Sequence, residues 1–149
     1  MAFAFSRASI ARLATVHINI QRITRRALAL SSVDFSVTQG RRTLDEQMRL
    51  FGRGRTEAQC ARAGVPKQYA LPNVARVTWT LNSNHLEGNA VDVAPFLNGK
   101  LEWDENGKLG LWPVIAKAFK DAASELGVPI QWGGDWVKNK DRPHFELSR

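Results

Sequence analysis

The sequence predicts an α+β fold, a small antiparallel sheet packed against several helices, and three observations carry that expectation. Apolar residues recur at three- and four-residue steps from Ile10 to Leu30 and again from Trp112 to Leu126, which is the helical period. Short stretches of alternating polar and apolar residues fall elsewhere in the chain, as half-buried strands require. Asn98-Gly99 joins two of these stretches and is a strong two-residue hairpin signal, so neighbouring strands run antiparallel. With 149 residues, 44% of them apolar, the chain fits one domain over residues 1–149 and has enough apolar side chains for a core.

Taken in order, Ile10, Leu13, Val16, Ile20, Ile23, Ala27 and Leu30 make one buried stripe, with a break expected between Thr15 and Asn19. Arg12, Arg22, Arg25 and Arg26 then face water, and His17 reads as a surface or capping residue. Ser31-Ser32 ends the helix, and residues 34–39 alternate as a strand. Thr43 and Glu46 form a capping box for a short helix whose Leu44, Met48 and Phe51 share a face. Residues 52–80 carry Gly52, Gly54, Gly64, Pro66 and Pro72 and show little periodicity beyond a short helix over residues 57–62. A long irregular stretch in a compact domain is often functional, and this one reads equally as a groove wall or a surface excursion.

Gly88 permits a tight turn into the strand Ala90-Val91-Asp92-Val93, on which Ala90 and Asp92 share a face. The hairpin at Asn98-Gly99 follows. Asp104-Glu105-Asn106-Gly107 is a turn, since it lacks the length and terminal Glu of a calcium-binding hand. Trp112, Ile115, Phe119, Ala122, Ala123 and Leu126 line the clearest helix, which Gly127 and Pro129 terminate. Ile130 to Trp132 returns as a strand, Gly133-Gly134 turns the chain, and His144 to Leu147 is a last strand in which His144 and Glu146 share a face.

Composition narrows the function classes. The single Cys60 rules out an intrachain disulfide and any cysteine-based zinc site, so a metal here must use imidazole and carboxylate. The net charge of +7 favours polyanions, yet the basic residues are dispersed and no nucleic-acid reading motif is present, so no specific nucleic acid is expected. Electrostatic contact with an anionic bacterial envelope fits the same charge. Residues 1–30 hold five Arg and no acid, but their apolar residues are periodic rather than clustered, so they read as folded helix and not as a secretory signal.

The densest chemistry lies at Ser83-Asn84-His85-Leu86-Glu87-Gly88-Asn89-Ala90-Val91-Asp92, with Asp141-Arg142-Pro143-His144 downstream. His85, Asp92 and His144 have the number and type of ligands of a catalytic zinc site, three protein groups and an open position for water. Singly, each has a plain structural explanation as a loop or core histidine or a turn-capping acid. Together, two imidazoles and a carboxylate are the right number and chemistry for one Zn²⁺.

These residues resemble the zinc D-alanyl-D-alanine carboxypeptidase and phage L-alanyl-D-glutamate peptidase family, whose pattern is matched by Ser83-x-His85-x-x-Gly88-x-Ala90-x-Asp92 and by an acid three residues before His144. Trp132-Gly133-Gly134-Asp135-Trp136 and Pro143-His144-Phe145 are more similar to its endolysin branch. The resemblance covers most of the chain and implies a zinc endopeptidase of the hedgehog/DD-peptidase fold, cutting the L-alanyl-D-glutamate bond of the peptidoglycan stem peptide with metal-activated water. It implies Asp141 as general base and, through Gly40-x-Arg42-Thr43 and Gln47, Arg42 as the guanidinium that holds the substrate and its developing oxyanion. Gln47, Ser83, Asp135 and Trp136 are the implied substrate contacts. The family often has Glu where this chain has Asp141. Asp is one methylene shorter, so its backbone must approach more closely or a water must bridge, and Glu87, Asp135 and Glu146 are rival bases.

The alternatives are a D-alanyl-D-alanine carboxypeptidase with the same chemistry and a non-catalytic wall-binding module on the same fold. The resemblance further implies a monomer without a separate cell-wall-binding domain. Such a protein is made in the host cytoplasm without a Sec signal and acts in the periplasm once another factor has permeabilised the inner membrane.

Overall fold

Residues 2–148 are described by a computed structural model; Met1 and Arg149, the two ends of the predicted domain, lie outside the described residues. The chain forms two compact units, one from Met1–Arg41 with Gly88–Arg149 and the other from Arg42–Glu87.

The first unit is the α+β part. Helix α1 (Arg7–Leu13) and helix α2 (Ile18–Leu30) are separated where the sequence breaks its period. His17 caps α2, its Nδ1 accepting from the Asn19 backbone N–H at 3.0 Å. Strand β1 (Phe35–Gln39) and the long strand β2 (Ala90–Leu97) follow, with β3 (Lys100–Leu101) returning across the Asn98-Gly99 turn. The longest helix, α5 (Leu111–Leu126), stops at Gly127, whose φ of 69° is the left-handed conformation glycine adopts without strain. Strands β4 (Ile130–Trp132) and β5 (His144–Leu147) complete the sheet.

The sheet order is β1-β2-β5-β4, with β3 on β2, and every pairing is antiparallel, as the hairpin signal predicts. Helix α2 packs on α5 and α1 on β1. Their core joins Leu13, Ile20 and Ile23 to Phe35, Ile115, Phe119 and Phe145. Phe119 stacks on Phe145 with centroids 3.8 Å apart, and Phe35 and Trp132 extend the aromatic row. Two ends of the expected stripe fall outside this core: Ile10 is 45% and Leu30 39% exposed. At the N-terminal end Ser9 is buried instead, its Oγ accepting from the Val37 N–H and tying α1 to β1.

The second unit holds α3 (Leu44–Gly52), α4 (Glu57–Arg62) and a 3-10 turn at Lys67–Tyr69 within the stretch that lacks periodicity. Both helices begin with capping boxes, Thr43 with Glu46 and Thr56 with Gln59. Leu44 does not join Met48 and Phe51 on a packed face as expected; it is 54% exposed, and Gln47 is the buried side chain of that helix. Leu44 is the first residue of α3 and lies at the helix end, whereas Gln47, one turn on, is held by several hydrogen-bond partners. Its two ends are joined by the Arg42 N–H donating to the His85 carbonyl at 2.9 Å.

Candidate metal centre

Strand pairing sets up the site. In the β2–β5 register Asp92 lies opposite His144 and Ala90 opposite Glu146. Directly opposed residues of an antiparallel pair share a face, and so do alternate residues of one strand, so all four side chains project the same way. His144 Nδ1 lies 3.2 Å from Asp92 Oδ1, and Nε2 lies 2.7 Å from Glu146 Oε1. The imidazole side chain is only 7% exposed and the Glu146 carboxylate 12%.

These neighbours decide the charge of the ring. Burial lowers the affinity of His144 for a proton, but hydrogen bonding to Asp92 and to Glu146, with the charges of Asp92 and Asp141, outweighs it and raises the pKa from 6.5 to about 9.

His85 enters from the turn before Gly88. Ser83 Oγ accepts from the His85 backbone N–H at 3.2 Å, so this side chain is engaged with the backbone of its own turn. Gly88, at φ 73°, makes the tight turn into β2, and its carbonyl accepts from the His17 N–H. His85 is buried. His85, Asp92 and His144 each offer one ligand atom, and the three lie within 4.8 Å of one another, so this group could bind a metal. Two imidazoles and a carboxylate, mostly withdrawn from water, fit a divalent ion of the zinc type.

The remaining predicted residues are placed as follows. Asp141 sits in the loop before β5, its N–H donating to the Gly133 carbonyl and its own carbonyl accepting from the His144 N–H. A Cβ on Gly133 would lie 2.2 Å from the Asp141 carbonyl oxygen, so only glycine lets the two segments approach. Trp136 leans on His144 with ring centroids 5.3 Å apart, while the Asp135 carboxylate accepts from Lys120 at 2.7 Å. In the other unit Arg42 Nη1 donates to Gln47 Oε1 at 2.6 Å, and Gln47 Nε2 donates to Thr78 Oγ1 and the Thr80 carbonyl. Gln47 is thus enclosed by protein groups. Thr78 and Thr80 carry no sequence signal that would have marked them, whereas strand parity does mark Glu146 beside His144.

Fold and site together define a small α+β protein in which two side chains from the central strands and His85 from the preceding turn form a group that could hold a metal. The family model described as phage L-alanyl-D-glutamate peptidase matches residues 1–148. The chain is 35% identical to the L-alanyl-D-glutamate peptidase of Escherichia phage T5, covering 100% of this chain and 92% of that one. It is 30% identical to the peptidoglycan L-alanyl-D-glutamate endopeptidase CwlK of Bacillus subtilis, over 81% of this chain and 65% of that one. The crystal structure of Serratia marcescens L-Ala D-Glu endopeptidase ChiX aligns with a TM-score of 0.71 at 33% identity, covering 99% of this chain and 91% of that one. The chain belongs to the phage L-alanyl-D-glutamate peptidase family.

Proposed function

We propose that this protein is a zinc-dependent endopeptidase that hydrolyses the L-alanyl-D-glutamate bond of peptidoglycan stem peptides. The observation that carries the proposal is the gathering of His85, Asp92 and His144 ligand atoms within 4.8 Å. Membership of the family, and the activity named for its T5 and Bacillus members, support the choice of bond.

One zinc ion held by these three residues would supply Lewis acidity and an acidified water at neutral pH. Around it, Asp141 is the general base, taking a proton from the attacking water and returning it to the departing D-glutamate amine. Its electrostatic effect on His144 supports that position. Arg42 holds the substrate carbonyl and the charge that develops on it, and Gln47, enclosed as it is, acts through Arg42 rather than on substrate. Ser83 holds the His85 turn, Trp136 packs against the His144 ring and offers its remaining surface to the peptide, and Asp135, next to Trp136 in the chain, is held in place by Lys120.

Among the described residues no helix is long and apolar enough to cross a membrane. The phage family supports synthesis in a host cytoplasm and action on the wall after another factor opens the inner membrane. The net charge of +7 supports attraction to anionic envelope polymers, so added salt is expected to weaken wall association in a pelleting assay.

Mass spectrometry of purified peptidoglycan digested by the protein tests the bond directly. New D-glutamate amino termini are expected. Release of terminal D-alanine instead identifies a carboxypeptidase, and wall binding without cleavage identifies a non-catalytic module. Asp141→Ala is expected to keep its zinc and lose roughly 10²- to 10⁴-fold in cleavage rate, the usual contribution of a general base. Full activity in that variant removes Asp141 from the mechanism.

A further inference from the structure

We propose that Glu146 is a positioning residue that fixes the His144 imidazole with its proton on Nε2, so that Nδ1 is the nitrogen presented to the metal. The inference rests on the zinc reading above and deepens it. It starts from the two sides of one ring. Nδ1 faces Asp92, a fellow ligand, at 3.2 Å, whereas Nε2 is engaged by the Glu146 carboxylate at 2.7 Å, a length characteristic of charge-assisted hydrogen bonds.

A ligating imidazole is neutral and carries a single proton, and the hydrogen bond made by one nitrogen decides which nitrogen keeps its lone pair. A carboxylate only accepts, so Glu146 holds the proton at Nε2 and leaves the lone pair on the Asp92 side. The backbone makes this contact possible. Glu146 and His144 share a face of β5, and the residue opposite Glu146 is Ala90, whose methyl group leaves the glutamate room to run along the strand to the ring. Trp136, with its ring centroid 5.3 Å away, packs against the same imidazole and limits its rotation. With its Oε1 bound on the side of the ring away from Asp92, Glu146 is an orienting group and not a rival to Asp141 as base.

Zinc titration and ¹H–¹⁵N spectroscopy of histidine-labelled protein test this in Glu146→Ala and Glu146→Gln. The Gln amide oxygen still accepts from Nε2–H. Glu146→Ala is therefore expected to bind zinc about 10- to 100-fold more weakly, the usual effect of losing such a partner, and Glu146→Gln to recover most of that loss. Zinc-loaded wild type and Glu146→Gln are expected to show His144 protonated at Nε2. Circular dichroism separates lost affinity from lost fold, and an unfolded Ala variant leaves the Gln variant and the wild-type spectrum to decide. A zinc-loaded wild type with the His144 proton on Nδ1, or a folded Glu146→Ala with undiminished zinc affinity, overturns the inference while leaving the peptidase reading intact. A wild type that binds no zinc overturns both.

Discussion

The two units of this chain are stabilised in different ways. The unit built from Met1–Arg41 and Gly88–Arg149 buries a continuous apolar cluster in which Phe35, Phe119 and Phe145 contact in a row. In Arg42–Glu87 the buried apolar side chains are Cys60 and Val65, and Gln47, Arg55 and His85 are buried too. Arg55 Nη1 donates to the Phe51 and Thr78 carbonyls, just as Gln47 reaches Thr78 and Thr80. One unit relies on area removed from water, which is forgiving of direction; the other relies on hydrogen bonds, which are not.

The contrast can be broken at its strongest point first. Phe119→Ala removes a fully buried ring from the aromatic row and is expected to cost about 3–5 kcal/mol in chemical denaturation. A loss below about 1 kcal/mol would show that the apolar cluster is not what holds that unit. Gln47→Ala removes only an amide, yet it strips Arg42 Nη1 and the Thr80 carbonyl of a partner, and about 1–3 kcal/mol is expected. Cleavage should fall with it, because Arg42 loses its brace; Gln47→Glu, which keeps an acceptor for Arg42 but loses the donor to Thr80, should retain more activity than Gln47→Ala.

These two substitutions also mark what the sequence made legible. Phe119 was readable because apolar side chains at helical spacing announce a buried face, and the Asn98-Gly99 turn announced its antiparallel partner strands. His85, Asp92 and His144 were readable because ligand chemistry is restricted to few residue types. Gln47 as an enclosed brace was not, since its partners Thr78 and Thr80 lie in a stretch without periodicity and polar networks leave no pattern in a single sequence. Ile10, Leu30 and Leu44 show the reverse error: a periodic apolar residue at a helix end has the right phase but no neighbour to cover it.

Smaller effects sharpen the picture. Thr43→Ala deletes the cap of α3 and half of its capping box, for about 1 kcal/mol by thermal or chemical melting. Arg26→Ala breaks a bidentate pair with Glu125 whose partners are both 47% exposed, and no measurable change in melting temperature is expected. A clear loss there would mean that surface charge contributes more to the apolar unit than its burial pattern allows.

The most direct test is elemental analysis joined to wall digestion on the same preparations of wild type and His144→Ala. One zinc per wild-type chain is predicted, with cleavage that stops on chelation and returns with zinc, and neither bound zinc nor cleavage in the variant. Undiminished cleavage by metal-stripped wild type, or by zinc-free His144→Ala, would contradict the account.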